Sequence, residues 1–151
     1  MCVITEGYMK IVLAVIASLF CVSTAALAEG SSKGYGMGGW FEQFGPVIAQ
    51  YNQSGELFRI TGHCQSACTM FLGIRNVCVE PSARLLFHAG HDRQRNITAN
   101  ATNRILSTYN SSLRNYLVSN GYVSTLAFHT ISGQDIISKF GYRACPAPGR
   151  T

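Results

Sequence analysis

Charge is scarce in this 151-residue chain. Only 13% of its residues are Asp, Glu, Lys or Arg, while 47% are hydrophobic, a balance that excludes wholesale disorder. Carboxylates are scarcest of all: seven acidic residues stand against twelve Lys and Arg, for a formal net charge of +5. The basic residues are scattered, with Arg93 and Arg95 the densest pair. The excess therefore reads as a solvated surface, and no nucleic-acid partner is expected. The chain also lacks a GxxxxGK(S/T) phosphate loop, an HExxH zinc motif and an EF-hand loop, which excludes those common chemistries. No internal repeat is visible, and the length admits one ordinary domain rather than two.

What is present begins with an apolar run over residues 11–28. Lys10 precedes it, Ala26-Leu27-Ala28 closes it with a small-x-small pattern, and Glu29-Gly30-Ser31-Ser32 turns polar at once. This is the pattern of a secretory signal, so residues 1–28 are expected to be removed and the mature protein to be periplasmic or secreted. Eighteen residues are just enough to span a bilayer, so a membrane association is expected only if the segment stays uncleaved. The bulky Phe20 before Cys21 argues against a lipoprotein site.

Of six cysteines, four remain after cleavage: Cys64, Cys68, Cys78 and Cys145. An even number in a small exported domain predicts two disulfides, each stabilising by ~2–4 kcal/mol. Sequence leaves three pairings open. The turn before Ser66 argues against Cys64 facing Cys68, so the expected arrangement joins one of that pair to Cys78 and the other to Cys145.

Residues 29–39 are Gly/Ser-rich and read as a flexible leading loop. Trp40 to Asn52 carries apolar residues at helical spacing, with Gly45-Pro46 a potential kink. Short strands are expected at Leu57–Thr61, Asn76–Glu80 and Ala83–His88, and a buried helix opens at Ser66. Residues 96–120 read as one helix stopped at Asn120-Gly121. Residues 122–130 are ambiguous, Gln134–Phe140 is a short helix closed by Gly141, and residues 146–151 form a loose tail. Helices alternating with short apolar strands make the class α/β, with residues 40–145 as the folded domain.

The chemistry-bearing stretch runs from Ile60 to Gly90. A strand enters a tight turn and then an apolar helix beginning at Ser66-Ala67. A Ser at that elbow stands at a helix N-terminus, where free N–H groups and the helix dipole stabilise an alkoxide and the oxyanion it creates. A second strand ends in His88, a candidate general base. Upstream, the Gly38-Gly39 pair can aim a backbone N–H at the same oxyanion. Each piece also has a plainer role: Ser66 as a helix cap, His88 as a structural side chain, the glycines as linker. His63, Cys64, Cys68, His88, His91 and His129 include zinc-ligand types, but in an oxidising compartment disulfides are the expected fate of the thiols, and neither metal nor cofactor is expected.

Over residues 38–90 the arrangement resembles the core of the Clp protease proteolytic subunit, of the Clp/crotonase superfamily. It is more similar still to short exported Clp-like bacterial proteins with a Cys-x-Ser-Ala-Cys core. The resemblance implies Ser66 as nucleophile, His88 as base after the Pro81-Ser82-Ala83-Arg84 strand, and Gly38 and Ala67 as oxyanion N–H donors. It implies a truncated Clp/crotonase-like α/β core with a small parallel sheet and packing helices, stapled by disulfides. It also implies a weak peptidase acting on peptides or small acyl compounds. Two departures stand out. Where the family carries an Asp to orient the His, an ungapped match places His129, leaving Asp135 as the nearest carboxylate and Asp92 as a lesser substitute. The mature chain has almost no strands before the glycine pair, so its sheet either lacks strands or borrows them from a second copy in a homo-oligomer. The competing reading is a non-catalytic secreted scaffold or binding domain with a degenerate site.

Overall fold

The computed structural model describes residues 29–147. The apolar leader, its cleavage site and the last four residues of the tail lie outside the described residues. In chain order the elements are β1 (Gly30–Ser31), a 3-10 turn (Ser32–Tyr35), α1 (Phe41–Ser54), β2 (Phe58–Ile60), β3 (His63–Gln65), a 3-10 helix (Ser66–Gly73), β4 (Val77–Val79), β5 (Arg84–Phe87), α2 (Ala99–Leu106), α3 (Ser111–Ser119), β6 (His129–Ser132) and α4 (Gly133–Phe140). The class is mixed α/β.

The strands form two small sheets rather than one. β1, β2 and β4 are parallel throughout. In the second sheet β3 and β5 are parallel, and β6 joins β5 antiparallel. The split has a local cause. Gly62, at φ +57, turns the chain between β2 and β3, and Pro81-Ser82 turns it between β4 and β5. Backbone bonds continue around the corner, with Glu80 N–H donating to Ile60 (3.0 Å) and Arg84 N–H donating to Gly62 (2.8 Å). One strand pair is thus bent into two sheets, a use of glycine at a bend that strands ordinarily disfavour.

The leading segment differs from the flexible loop expected over residues 29–39. Gly30 and Ser31 pair with Phe58 and Arg59. Buried Ser32 donates its hydroxyl to the Thr61 carbonyl and accepts from Thr61 N–H (2.9 Å). Glycine-rich composition did not report these long-range bonds. The tail is also partly held, since Arg59 Nη1 donates to the Pro146 carbonyl at 2.9 Å.

Residues 96–120 form two helices, not one. Thr98 caps α2 by accepting from Ala101 N–H, and Asn110 caps α3 by accepting from Leu113 N–H. The break falls in Ser107-Thr108-Tyr109-Asn110, where Ser107 and Thr108 hydroxyls bond back to Arg104 and Ile105 carbonyls. Such side chains compete with the helix backbone. Pro46 lies inside α1 without ending it, because Phe44 is buried and Val47, Ile48 and Tyr51 pack on the core. The core centres on Phe58 and Phe71, 4.5 Å between ring centroids, with Phe44 5.2 Å from Phe71. Each such ring stabilises the fold by ~1.5–3 kcal/mol relative to exposure.

Both expected disulfides form, but with a different pairing: Cys64–Cys68 and Cys78–Cys145. The turn at Ser66 doubles the chain back so that Cys64 and Cys68 have Cα atoms 5.3 Å apart. Cys78 belongs to the other sheet, where the C-terminal segment runs alongside β4 and Cys145 N–H donates to Val79.

Candidate active site

Two parallel strands deliver the site. The register pairs Gln65 with Leu86, so the residues that follow, Ser66 and His88, emerge at the same C-terminal edge. Open α/β sheets build sites at that edge. Ser66 Oγ and His88 Nε2 are 2.8 Å apart, within range for direct proton transfer. Ser66 does not cap its helix: its side chain bonds to the imidazole instead.

The elbow is strained and braced. Ser66 has φ +54, one of two non-glycine residues among those described with positive φ, a conformation costing about 1–3 kcal/mol. The Cys64–Cys68 disulfide straddles it. From the far side, Tyr109 hydroxyl donates to Thr69 Oγ1 at 2.5 Å and Thr69 donates to the Ser66 carbonyl at 2.7 Å. Burial pushes the Tyr109 hydroxyl far above the usual phenol range, so it remains a donor.

The glycine turn meets the elbow directly. A Cβ on Gly38 (φ +73) would stand 2.8 Å from the Gln65 carbonyl and 2.9 Å from Ser66 Cβ. Gln65 N–H donates to Gly36 and its side-chain amide to Met37, which holds the turn in place. The turn does not, however, leave Gly38 N–H available as expected: that group donates to Tyr35 at 2.9 Å, closing the 3-10 turn. Gly39 N–H is the next along the chain, makes no backbone bond among the described residues, and Gly39 lines the cleft. Ala67 contributes one of the first N–H groups of the 3-10 helix, which lack partners within it.

No family model matches the sequence, and no curated protein matches it. The chemistry therefore rests on the geometry itself.

His88 is 6% exposed. Burial holds its imidazole below the ordinary value, and the neighbouring His91 and Arg95 add to the depression. The Ala89 backbone opposes this without reaching hydrogen-bond geometry at Nδ1, which is buried and has no partner. In the neutral tautomer that carries its proton on Nδ1, Nε2 accepts from the Ser66 hydroxyl, the arrangement a general base requires. Phe128 packs edge-on against the ring at 4.9 Å and His91 lies 5.8 Å away.

Among the described residues no carboxylate orients this histidine. Asp135, the nearest candidate carboxylate in the sequence, lies beyond Ser132, which pairs with Arg84 at the opposite end of β5 from His88, roughly 13 Å along the strand. There its N–H bonds to Ser132 and its carboxylate to Lys139 at 3.1 Å. Asp92 accepts from Asn96 N–H and Asn96 Nδ2 with its two oxygens, and these bonds hold its carboxyl below the usual range. His129 sits opposite Phe87, near the His88 end of β5, and stacks on Tyr122 at 4.4 Å.

Among the described residues no group of three His, Cys, Asp or Glu side chains gathers to hold a metal, and Cys64 and Cys68 are consumed by their disulfide. No helix there is long and apolar enough to cross a membrane. Sequence reasoning named Gly39 only as part of the glycine pair, and missed the Thr69–Tyr109 brace and the cleft walls Trp40 and Phe128. Only the glycine pair carried a signal; the rest converge from separate segments.

Proposed function

We propose that this chain is an exported, Clp-like serine hydrolase that cleaves peptides or small acyl compounds through a Ser66–His88 dyad. The observation that carries the reading is the 2.8 Å contact between Ser66 Oγ and His88 Nε2, made by a serine in left-handed backbone at a helix start. The order of glycine turn, elbow serine and histidine-ending parallel strand agrees with the Clp resemblance, and the two disulfides suit an oxidising, periplasmic or secreted setting.

In the first step His88 Nε2 takes the hydroxyl proton as Ser66 Oγ bonds to the substrate carbonyl carbon. The carbonyl electrons move to oxygen, and the N–H groups of Gly39 and Ala67 receive that oxyanion. Collapse expels the leaving group, which takes the proton from His88, and water then releases the acyl group by the same route. Without a carboxylate at Nδ1 the imidazolium formed midway is less stabilised, so turnover is slow; oxyanion stabilisation still accelerates the reaction when a triad member is missing.

One observation favours the competing reading of a non-catalytic secreted scaffold: the buried Nδ1 with no partner. Labelling of the mature protein with a fluorophosphonate separates the two. Covalent modification lost in Ser66→Ala is the hydrolase result; no modification of the folded wild type is the scaffold result.

A further inference from the structure

The cleft in front of Ser66 and His88 has a volume of about 320 Å³. Its walls are apolar in part, with Trp40 45% and Phe128 47% exposed, joined by Met37 and Leu126. Its charged member is Arg95, with His91 beside it, and no Asp or Glu lines it. Arg93 lies over the Trp40 ring at 5.7 Å, adding a second cation at the rim. Among the described residues Arg95 makes no ion pair and no side-chain hydrogen bond, although its charge is felt at His88.

Arg95 also occupies a backbone position that disfavours it. It closes the Asp92–Asn96 turn at φ +66, with its N–H donating to the Asp92 carbonyl at 3.1 Å and Asp92 N–H donating to Asn96 at 2.9 Å. Glycine or asparagine ordinarily fills such a place. Asp92, the carboxylate in the same turn, is engaged by Asn96. A strained arginine without a protein partner, at the edge of an apolar cleft, is arranged to receive an anion from outside.

We propose that the site binds acidic peptides, in which an aromatic or aliphatic side chain enters the Trp40–Phe128 cleft and a neighbouring carboxylate pairs with Arg95. This rests on the hydrolase reading for what happens to the peptide, but not for its binding. The net charge of +5 assists the approach of an anion.

The test uses the single tryptophan of the sequence, Trp40, as a binding reporter that needs no catalysis. Mature protein is titrated with acetyl-Phe-Glu-amide and with acetyl-Phe-Gln-amide while Trp40 fluorescence is followed. The glutamate peptide is expected to bind about tenfold more tightly, the discrimination of one charge-assisted hydrogen bond. Arg95→Gln should abolish the difference and Arg95→Lys should retain part of it. Arg95→Gly, which relieves the left-handed backbone, should abolish it without loss of thermal stability. Equal affinity for the two peptides, no binding of either, or a preference that survives Arg95→Gln overturns the proposal. Fluorophosphonate labelling of Ser66 in the same preparations reports separately on the hydrolase reading.

Discussion

The two disulfides close loops of very different length, and that difference predicts their contributions. Cys64–Cys68 spans a separation of 4 residues and Cys78–Cys145 a separation of 67. The loop-entropy relation gives about 1.9 kcal/mol for the short bridge and about 4.4 kcal/mol for the long one. Against a net stability of about 5–15 kcal/mol for an ordinary domain, the long bridge is a large share. It also ties the C-terminal segment to β4, where Val79 N–H donates to Arg143 and Cys145 N–H donates to Val79. The perturbations are the double variants Cys78→Ala/Cys145→Ala and Cys64→Ala/Cys68→Ala, unfolded in urea without reductant. Cys64, Cys68 and Cys78 are fully buried and Cys145 is half-buried, so cavity effects do not favour the long bridge. With m near 2 kcal/mol/M, the long-bridge variant should lose about 2 M in midpoint and the short-bridge variant about 1 M. Equal losses, or a larger loss from the short bridge, would refute the loop-length reasoning. The short bridge should instead be the one whose removal slows fluorophosphonate labelling, because it braces the backbone of Ser66.

Three further outcomes are expected. Because the folded His88 titrates below its ordinary value near 6.5, the unfolded chain binds the extra proton first as pH falls; stability should decline below about pH 6.5, less so in His88→Gln, and labelling of Ser66 should persist to lower pH than an ordinary imidazole allows. A labelling midpoint at or above 6.5 contradicts this. Tyr109→Phe removes the donor to Thr69 and should lower stability by about 1 kcal/mol, roughly 4 °C in Tm by calorimetry, and slow labelling of Ser66; an unchanged Tm and labelling rate would show that the brace is inert. Gly38→Ala places a methyl against Gln65 and Ser66 in left-handed backbone, and should cost about 1–3 kcal/mol in urea unfolding; a neutral result would separate the glycine turn from the elbow.

Much of the site was legible because its parts are local. A strand, a serine at a helix start and a second strand ending in histidine are short-range patterns, and parallel pairing of the two strands follows once the chain between them crosses over. The strands at 58–60, 77–79 and 84–87, the helix closed by Gly141 and the count of two disulfides were legible for the same reason. What the tertiary structure alone decided depends on groups far apart in sequence. Gly38 N–H is unavailable because Tyr35 takes it; Asp135 is at the wrong end because β6 runs antiparallel to β5; Cys64 joins Cys68 because left-handed Ser66 folds the chain back. Thr61 ties the side chain of Ser32, at the start of the 3-10 turn, to the end of β2, and Tyr109 reaches Thr69 across 40 positions. Residue type and spacing determine which local elements form, since propensity, capping and turn chemistry act within a few residues; which hydrogen-bond partner each polar group finds is set by packing of the whole chain.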